Sequence, residues 1–185
     1  MSFRGIYAMI RACIFDLEGV IMEPGRLPEL PADFASWEPG GAADSRWLKE
    51  IHHLMPDDLR DGVFIFIKEL KNKGLNLAAV GCCPNLREIL NRLQVRHYFH
   101  VFLEASTIMP DPGLYLRTSE ALGVHPSRVL VFSANENGIR AAASAGCRTV
   151  GIGQGENLRN ADLMLPTLER VRFMKILAAI GEEEE

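Results

Sequence analysis

Two carboxylates, two positions apart, are the first residues of the chain whose types and spacing could do chemistry. They follow a short apolar run, RACIFD at residues 11–16, which ends in Asp16, with Glu18 just beyond it. Side chains alternate along extended backbone, so residues 16 and 18 are expected on the same side. Paired carboxylates can act as an acid/base pair. We therefore take Asp16 and Glu18 as candidate catalytic residues.

The elements that must position this pair alternate along the chain. Short apolar segments typical of β-strands occur at 11–16, 75–81, 100–104, 129–133, 148–152 and 162–165. Helical patterns lie between and after them, at 62–73, 85–93, 112–122, 137–145 and 167–179. Apolar strands that alternate with helices predict a parallel sheet covered on both faces. The expected fold class is α/β, a three-layer α/β/α sandwich with a Rossmann-like parallel sheet.

Ligands of such a sheet bind at the carboxyl ends of its strands. Four segments are expected to meet there, namely residues 16–18, 81–83, 105–111 and 133–135. The sequence therefore predicts one site at this edge of the sheet, built from several distant parts of the chain.

One region interrupts the alternation of strands and helices. It is rich in Pro, Gly and acidic residues and contains a single helical pattern at 44–55. We interpret it as a reduced helical cap inserted after the first strand. The predicted organisation is a core domain of residues 1–21 and 59–181, a cap-like insertion at 22–58 and an acidic tail at 182–185.

Composition narrows the class of protein. The 185 residues are 48% hydrophobic and 24% charged, which is ordinary for a globular chain. A net charge of −4 gives no reason to expect nucleic acid or an anionic membrane as a partner. Early charged residues argue against a signal peptide or a membrane span near the N-terminus. The four cysteines, at positions 13, 82, 83 and 147, form no disulfide framework, which favours a cytoplasmic protein.

Several segments, taken in chain order, carry a family resemblance. They are FDLEGVI, then DGVFIFIKELKNKGLNLAAVGCCPN, then IMPDPGLYLRTSEALGVHPSRVLVFSANENGIRAAASAGCRTVGIG, and finally ADLMLPTLERV. The first resembles the FDxDGV motif of the haloacid dehalogenase superfamily, and the others resemble its β-phosphoglucomutase- and phosphatase-like branch. The resemblance covers residues 11–22 and 58–175.

This resemblance implies phosphoryl transfer on a small phosphorylated metabolite. In the family, an Asp attacks phosphorus and an acidic residue two positions later transfers the proton. By resemblance, Asp16 holds the nucleophile position and Glu18 the acid/base position. The cofactor would be Mg²⁺, held by Asp16, by the backbone of Glu18 and by an acidic pair at positions 133 and 134. A Lys and a hydroxyl after the second strand would neutralise the phosphate.

The other site positions of the family are substituted. Gly81, followed by Cys82, stands where a phosphate-binding Ser or Thr is expected, and Met109 stands in place of the Lys. Ser133 and Ala134 replace the acidic pair. The predicted phosphate site and metal site are therefore both degenerate.

These substitutions change the expected chemistry. Glu18 replaces an Asp, and a carboxyl displaced by about 1 Å can cost on the order of a hundredfold in rate. A bound phosphate would face Asp16 and Glu18 with little opposing charge, a repulsion of about several kcal/mol. We expect impaired catalysis and a binding or regulatory role, with a protein partner or a homodimer. The alternative is an active Mg²⁺-dependent phosphatase or phosphomutase that forms an aspartyl-phosphate.

Other residues are candidates to restore the missing groups. Glu136 and Asn135 could offer oxygen ligands to a metal, and Arg26, Lys49 or His52 could bring positive charge from the insertion. The insertion is too short for a full helical cap, so the pocket is expected to be open.

Cys82 and Cys83 suggest a second chemistry at the end of the second strand. A reactive thiol or a soft-metal site is one interpretation, although no His lies near them in the sequence. Small residues that fill the turn are the other interpretation. Trp37 and Trp47 are expected to hold the insertion against the sheet.

Overall fold

The computed structural model describes residues 10–23, 25–27, 42–104 and 111–182, with backbone alone for 42–45 and 182. Met109 and Trp37 lie outside the described residues, as do residues 183–185 of the predicted tail. The predictions that rest on them stay predictions.

Six parallel strands form one sheet in the order β3-β2-β1-β4-β5-β6. In chain order, β1 to β6 are Ala12–Asp16, Asn76–Gly81, Val101–Glu104, Val129–Ser133, Arg148–Ile152 and Leu163–Leu165. The predicted α/β fold is confirmed, and each strand begins within one residue of its expected start. Because β1 lies between β2 and β4, Asp16 is placed at the middle of the carboxyl edge.

Helices cover both faces of this sheet. They are α1, Ala42–Glu50; α2, Val63–Asn72; α3, Leu86–Arg92; α4, Pro112–Ala121; α5, Glu136–Ser144; and α6, Phe173–Glu182. Buried side chains of α1, α2, α3 and α6 share one hydrophobic core, and those of α4 and α5 share the other. The two cores are separated by the sheet, which gives the three layers.

Alternation along β1 explains why this strand is apolar throughout. Cys13 and Phe15 face the α2–α3–α6 core, whereas Ala12 and Ile14 face the α4–α5 core. Phe15 stacks on Phe132 of β4, with 4.7 Å between the ring centroids. The same alternation directs the side chain of Asp16 towards the α4–α5 layer.

Two helical patterns have different bounds in the structure. The pattern at 44–55 becomes α1, which ends at Glu50, and a 3₁₀ turn over Ile51–His53 follows it. The last helix begins at Phe173 instead of residue 167. Arg170 has a φ of 58°, a left-handed conformation that a right-handed helix does not contain.

The chain leaves and re-enters the core at neighbouring points on either side of the predicted insertion. Met22 forms an antiparallel bridge with Leu59, and the backbone N–H of Arg60 donates to the carbonyl of Ile21 at 2.9 Å. Trp47 of α1 is buried, and its indole N–H donates to the carbonyl of Pro84 at 3.1 Å. The contact expected of Trp47 is therefore present, while the division into two domains stays a prediction.

The cysteines and the lengths of the helices can be stated for the described residues. All four cysteines are free, and Cys82 alone among them is half-exposed while the others are buried. Within the described ranges, no helix combines the length and the apolarity needed to cross a membrane.

Candidate active site

Segments that are far apart in the sequence meet at one pocket on the carboxyl edge of the sheet. Asp16 ends β1 and Glu18 follows it, Gly81 ends β2 and Cys82 follows it, and Asn135 follows β4; all five line this pocket of about 90 Å³. Leu17, Val80 and Leu114 complete its described lining. We call it the Asp16 pocket. The fourth segment expected here, residues 105–110, lies outside the description.

Two hydroxyl groups hold the Asp16 carboxylate. The phenol of Tyr115, a buried residue of α4, donates to Asp16 Oδ1 at 3.1 Å. The buried side chain of Ser133 also hydrogen-bonds to Asp16. Burial raises the pKa of Tyr115, and the neighbouring Asp16 raises it further, so the phenol stays protonated and remains a donor.

Burial dominates the protonation of Asp16. It raises the pKa of this carboxyl from 3.8 to about 6, although the hydrogen bonds from Ser133 and Tyr115 lower it; the charge of Glu18 adds a smaller upward contribution. A carboxylate matched by a cation has a lowered pKa instead. No positive charge of the described residues is among the causes of this shift.

Gly138 of α5 brings the helix into contact with the site. A Cβ at this position would overlap the Ser133 hydroxyl and would lie 2.9 Å from Asp16 Oδ2. Only a glycine lets the backbone approach the carboxylate this closely. The first turn of α5 thereby forms one wall beside Asp16.

Glu18 lies in a tight turn at the mouth of the Asp16 pocket. Glu18 forms an isolated β-bridge with Met22. The turn between them contains Gly19, whose φ is 77°. The guanidinium of Arg60 donates to the carbonyl of Gly19. The Glu18 side chain is exposed, but adjacent protein atoms remove part of its hydration and raise its pKa.

The end of β2 offers backbone and sulfur where the family pattern has a hydroxyl. Gly81 carries no side chain, and a Cβ built there would meet Leu17, Leu86 and Cys83 at 3.4 to 3.6 Å, which is ordinary contact. Burial and then the charges of Asp16 and Glu18 raise the pKa of Cys82 to about 12. Cys82 is therefore a thiol, not a reactive thiolate, at neutral pH.

The segment after β4 supplies few metal ligands. Ser133 is hydrogen-bonded to Asp16, Ala134 has no polar side-chain atom, and Asn135 Oδ1 accepts the N–H of Asn137 at 2.8 Å as the cap of α5. Glu136 does not line the Asp16 pocket. Across the described ranges, no three His, Cys, Asp or Glu side chains are grouped to hold a metal. Because Mg²⁺ prefers several oxygen ligands anchored by carboxylates, these residues do not fit it.

The described lining of the Asp16 pocket also lacks a cation. Arg26, Lys49 and His52, the candidates from the insertion, are absent from it. Arg26 instead lies 3.7 Å from Asp58 in an ion pair. Residues 28–41 and 105–110 contain no Lys, Arg or His in the sequence, so neither segment can provide one.

Three residues of this region have no signal in the sequence that points to Asp16. From the sequence pattern, Tyr115 is expected at an apolar position of a helix and Gly138 is expected to be a small helical residue. Arg60 is expected to be a solvated charged residue. The contacts of Tyr115 and Gly138 with Asp16, and of Arg60 with Gly19, depend on how the layers pack.

Comparisons with known proteins agree with this fold. A family model described as haloacid dehalogenase-like hydrolase matches residues 43–152. The β-phosphoglucomutase of Bacillus subtilis is 33% identical over 118 residues, 62% of this chain and 52% of that protein. A phosphoglycolate phosphatase of Escherichia coli is 30% identical over 133 residues, 65% of this chain and 53% of that protein.

A solved structure shows the same fold. The crystal structure of a β-phosphoglucomutase from Clostridium difficile has a TM-score of 0.79 at 20% identity, covering 95% of this chain and 99% of that chain. The chain spans about half the length of the curated relatives it matches.

Proposed function

Because the chain belongs to the haloacid dehalogenase-like hydrolase family, we propose that it keeps the family fold while its Asp16 pocket no longer carries out phosphoryl transfer. Its role is then binding or regulation, with a protein partner or a second copy of the chain. The observation that carries this proposal is a pocket lined by two carboxylates and by no described cation.

Electrostatics is the main support for this proposal. A phosphate in the Asp16 pocket would lie beside Asp16 and Glu18, and the described residues that line the pocket include no Lys or Arg to oppose their charge. In a partly desolvated site the resulting repulsion is on the order of several kcal/mol. A transition state for phosphoryl transfer carries more negative charge at its oxygens and needs positive charge there. Loss of that charge removes the largest contribution to catalysis.

Steric fit adds a second support. The lost hydroxyl at Gly81 is not excluded by space, because a Cβ there makes only ordinary contacts. The Cβ of a serine would therefore fit, so lack of space does not account for the glycine.

The second candidate is an active phosphatase or phosphomutase for a small phosphorylated metabolite. Asp16 and Glu18 line the same pocket, which favours their pairing as nucleophile and acid/base. The names of the relatives, β-phosphoglucomutase and phosphoglycolate phosphatase, point the same way. This function requires Mg²⁺ and a cation from outside the described residues, for example from a partner.

Hydrolysis of p-nitrophenyl phosphate with Mg²⁺, together with Mg²⁺ titration in the presence of beryllofluoride, separates the two candidates. Beryllofluoride mimics an aspartyl-phosphate. The proposal expects no turnover and no saturable binding. Turnover or binding that disappears in Asp16→Asn would overturn it and establish the active enzyme.

A gain-of-function variant tests the reason for the loss. Gly81→Ser, Met109→Lys and Ala134→Asp together return the hydroxyl, the cation and the metal ligand. The combined variant is expected to bind Mg²⁺ and beryllofluoride. Its matched control replaces Gly81→Ser with Gly81→Ala, which restricts the backbone equally but provides no hydroxyl. If the control binds equally well, the hydroxyl has no part in the site.

A further inference from the structure

A second cavity lies beside the N-terminal end of α2, between α2 and the 3₁₀ turn Arg96–Tyr98. Its volume is about 620 Å³, within the range of pockets that hold small molecules. We call it the α2 pocket. It shares no lining residue with the Asp16 pocket.

The walls of the α2 pocket include apolar side chains that helix amphipathicity does not explain. One face of α2 is buried, with Val63, Phe66 and Ile67 in the core. Phe64 and Ile65, on the opposite face, are 39% and 64% exposed and line the α2 pocket. Exposed large apolar residues gathered at a cavity mark a binding surface on a folded protein.

Two aromatic rings are held in a fixed geometry at this cavity. Phe64 and Tyr98 meet edge to face, with 5.9 Å between centroids and an interplanar angle of 84°. The ammonium of Lys68 lies 5.3 Å from the centre of the Phe64 ring. This is the arrangement in which a cation lies over an aromatic face, whose quadrupole favours positive charge.

Two carboxylates of the α2 pocket have no ion-pair partner among the described residues. Asp57 and Asp61 line it, and neither carboxylate has an ion pair or a side-chain hydrogen bond within the described part of the chain. Arg60 also lines it, but its guanidinium is 3.2 Å from Glu23 and donates to the carbonyl of Gly19. His97 is the remaining titratable side chain of the lining apart from the Tyr98 phenol. The cavity therefore offers two free carboxylates beside aromatic rings.

We propose that the α2 pocket binds a small organic cation, a protonated amine on an aromatic or alicyclic body. The amine is placed at Asp57 and Asp61, and the body packs against Phe64 and Tyr98. Carboxylates beside aromatic faces are the recognition groups for organic ammonium ions. This site does not depend on the Asp16 pocket, so it stands whether or not phosphoryl transfer is lost.

Arg60 also connects the α2 pocket to the first turn of the core. Its side chain contacts Gly19, one residue beyond Glu18, and its backbone N–H is bonded to Ile21. A ligand beside Arg60 therefore lies one side chain away from the turn that carries Glu18. Amide signals of this turn are expected to move when the α2 pocket fills.

Titration of the ¹⁵N-labelled chain with three probes of closely matched size tests the charge requirement. The probes are phenethylamine, the neutral 2-phenylethanol and the anionic phenylacetate. Saturable shifts of the amides of Asp61, Gly62 and Phe64 are expected with the amine, with affinity falling from amine to alcohol to acid. Equal binding of the three probes, shifts confined elsewhere, or no saturable shift at all would overturn the proposal.

Variants then identify the carboxylates and the ring. Asp61→Asn is expected to weaken phenethylamine binding about threefold to fivefold, as for a partly exposed ion pair, and adding Asp57→Asn to weaken it further. Phe64→Leu keeps an apolar side chain and loses the ring, so weaker binding there assigns the aromatic contact. Glu120→Gln on the exposed face of α4 is the matched charge control and is expected to bind normally.

Two results would count against this assignment. If the double variant Asp57→Asn/Asp61→Asn binds phenethylamine with unchanged affinity, the carboxylates have no role in binding. Concentration-dependent shifts of the same amides without any probe would assign the surface to self-association instead. Thermal melts of each variant check that the fold is retained. Retention is expected because all the substituted side chains are exposed.

Discussion

The Asp16 pocket and the α2 pocket both contain carboxylates that form no ion pair within the described residues, yet they are built differently. In the Asp16 pocket the carboxylate is half-buried and held by two hydroxyls, and the pocket has a volume of about 90 Å³. In the α2 pocket two carboxylates are exposed beside aromatic rings, in about 620 Å³. The first is at the carboxyl edge of the sheet, and the second lies against helices on one face.

This difference separates what a fold retains from what a reaction needs. Strands and core side chains place Asp16 at the middle of the sheet edge regardless of whether a phosphate binds. Catalysis depends on a few groups around it, and our proposal is that substitutions at four positions remove them. The fold does not require exposed apolar or acidic residues on the surface of α2. We therefore attribute them to the organic cation proposed for the α2 pocket.

Replacement of Gly62, which lines the α2 pocket, is expected to have the largest effect on stability. Gly62 has a φ of 83°, and a Cβ there would overlap the backbone of Leu168 and Glu169. Gly62→Ala is therefore expected to lower the free energy of unfolding by about 3 kcal/mol or more, from backbone strain and overlap together. Urea unfolding followed by circular dichroism measures the loss.

Gly74→Ala is the matched control for this variant. Gly74 has a φ of 77° but nothing lies within 4 Å of an added Cβ. Strain alone is expected to cost about 1 kcal/mol there. Equal losses in the two variants would mean that the turn before α6 does not pack against α2, and that the α2 pocket is less defined than described.

Asp16→Asn is expected to stabilise the protein at neutral pH. The pKa of Asp16 is raised to about 6 in the folded chain and is near 3.8 when solvated, so the folded state binds more protons between these values. Stability from this group is complete below pH 3.8 and is lost as pH rises through 6. Removing the charge should add about 1–3 kcal/mol at pH 7.5 and little at pH 3.5.

Unfolding curves of the wild type and Asp16→Asn across pH 3.5 to 8 test this difference. A variant that is less stable at pH 7.5 would show that a cation balances Asp16 in the folded protein. That result would make the Asp16 pocket an ion-paired site and would support the active enzyme.

Alkylation of Cys82 gives a smaller but direct readout of charge in the Asp16 pocket. Its pKa is raised to about 12, first by burial and then by Asp16 and Glu18. At pH 8 it should react with iodoacetamide about tenfold or more slowly than an unperturbed exposed thiol. Glu18→Gln should increase that rate, and the distant Glu120→Gln should not. Peptide-resolved mass spectrometry measures each rate; a fast reaction in the wild type would contradict a negatively charged pocket.

The sequence predicts the sheet well because its signals are local. Apolar runs of four to seven residues, ended by turns and followed by amphipathic helices, gave every strand of β1 to β6 within one residue at its start. Helix boundaries that depend on backbone conformation were harder to predict from the sequence. Because Arg170 has a left-handed conformation, α6 begins later than the sequence pattern predicts. No pattern of residues indicates that turn.

The candidate site was predictable in its positions and less so in its contacts. Asp16, Glu18, Gly81, Cys82 and Asn135 meet in one pocket because carboxyl ends of parallel strands share an edge. Glu136 and the basic residues of the insertion were candidates from spacing alone, and none lines the Asp16 pocket. Their position relative to the pocket depends on tertiary packing, which the sequence does not state.

The sequence by itself determined the parallel sheet, the place of Asp16 and the absence of basic residues from the segments 28–41 and 105–110, since periodicity and composition are local properties. Tertiary packing decided that Tyr115 and Ser133 hold Asp16, that Gly138 contacts it, and that Phe64 and Tyr98 border a cavity. These contacts join residues distant in the chain, so their existence depends on how layers pack and on the burial that follows.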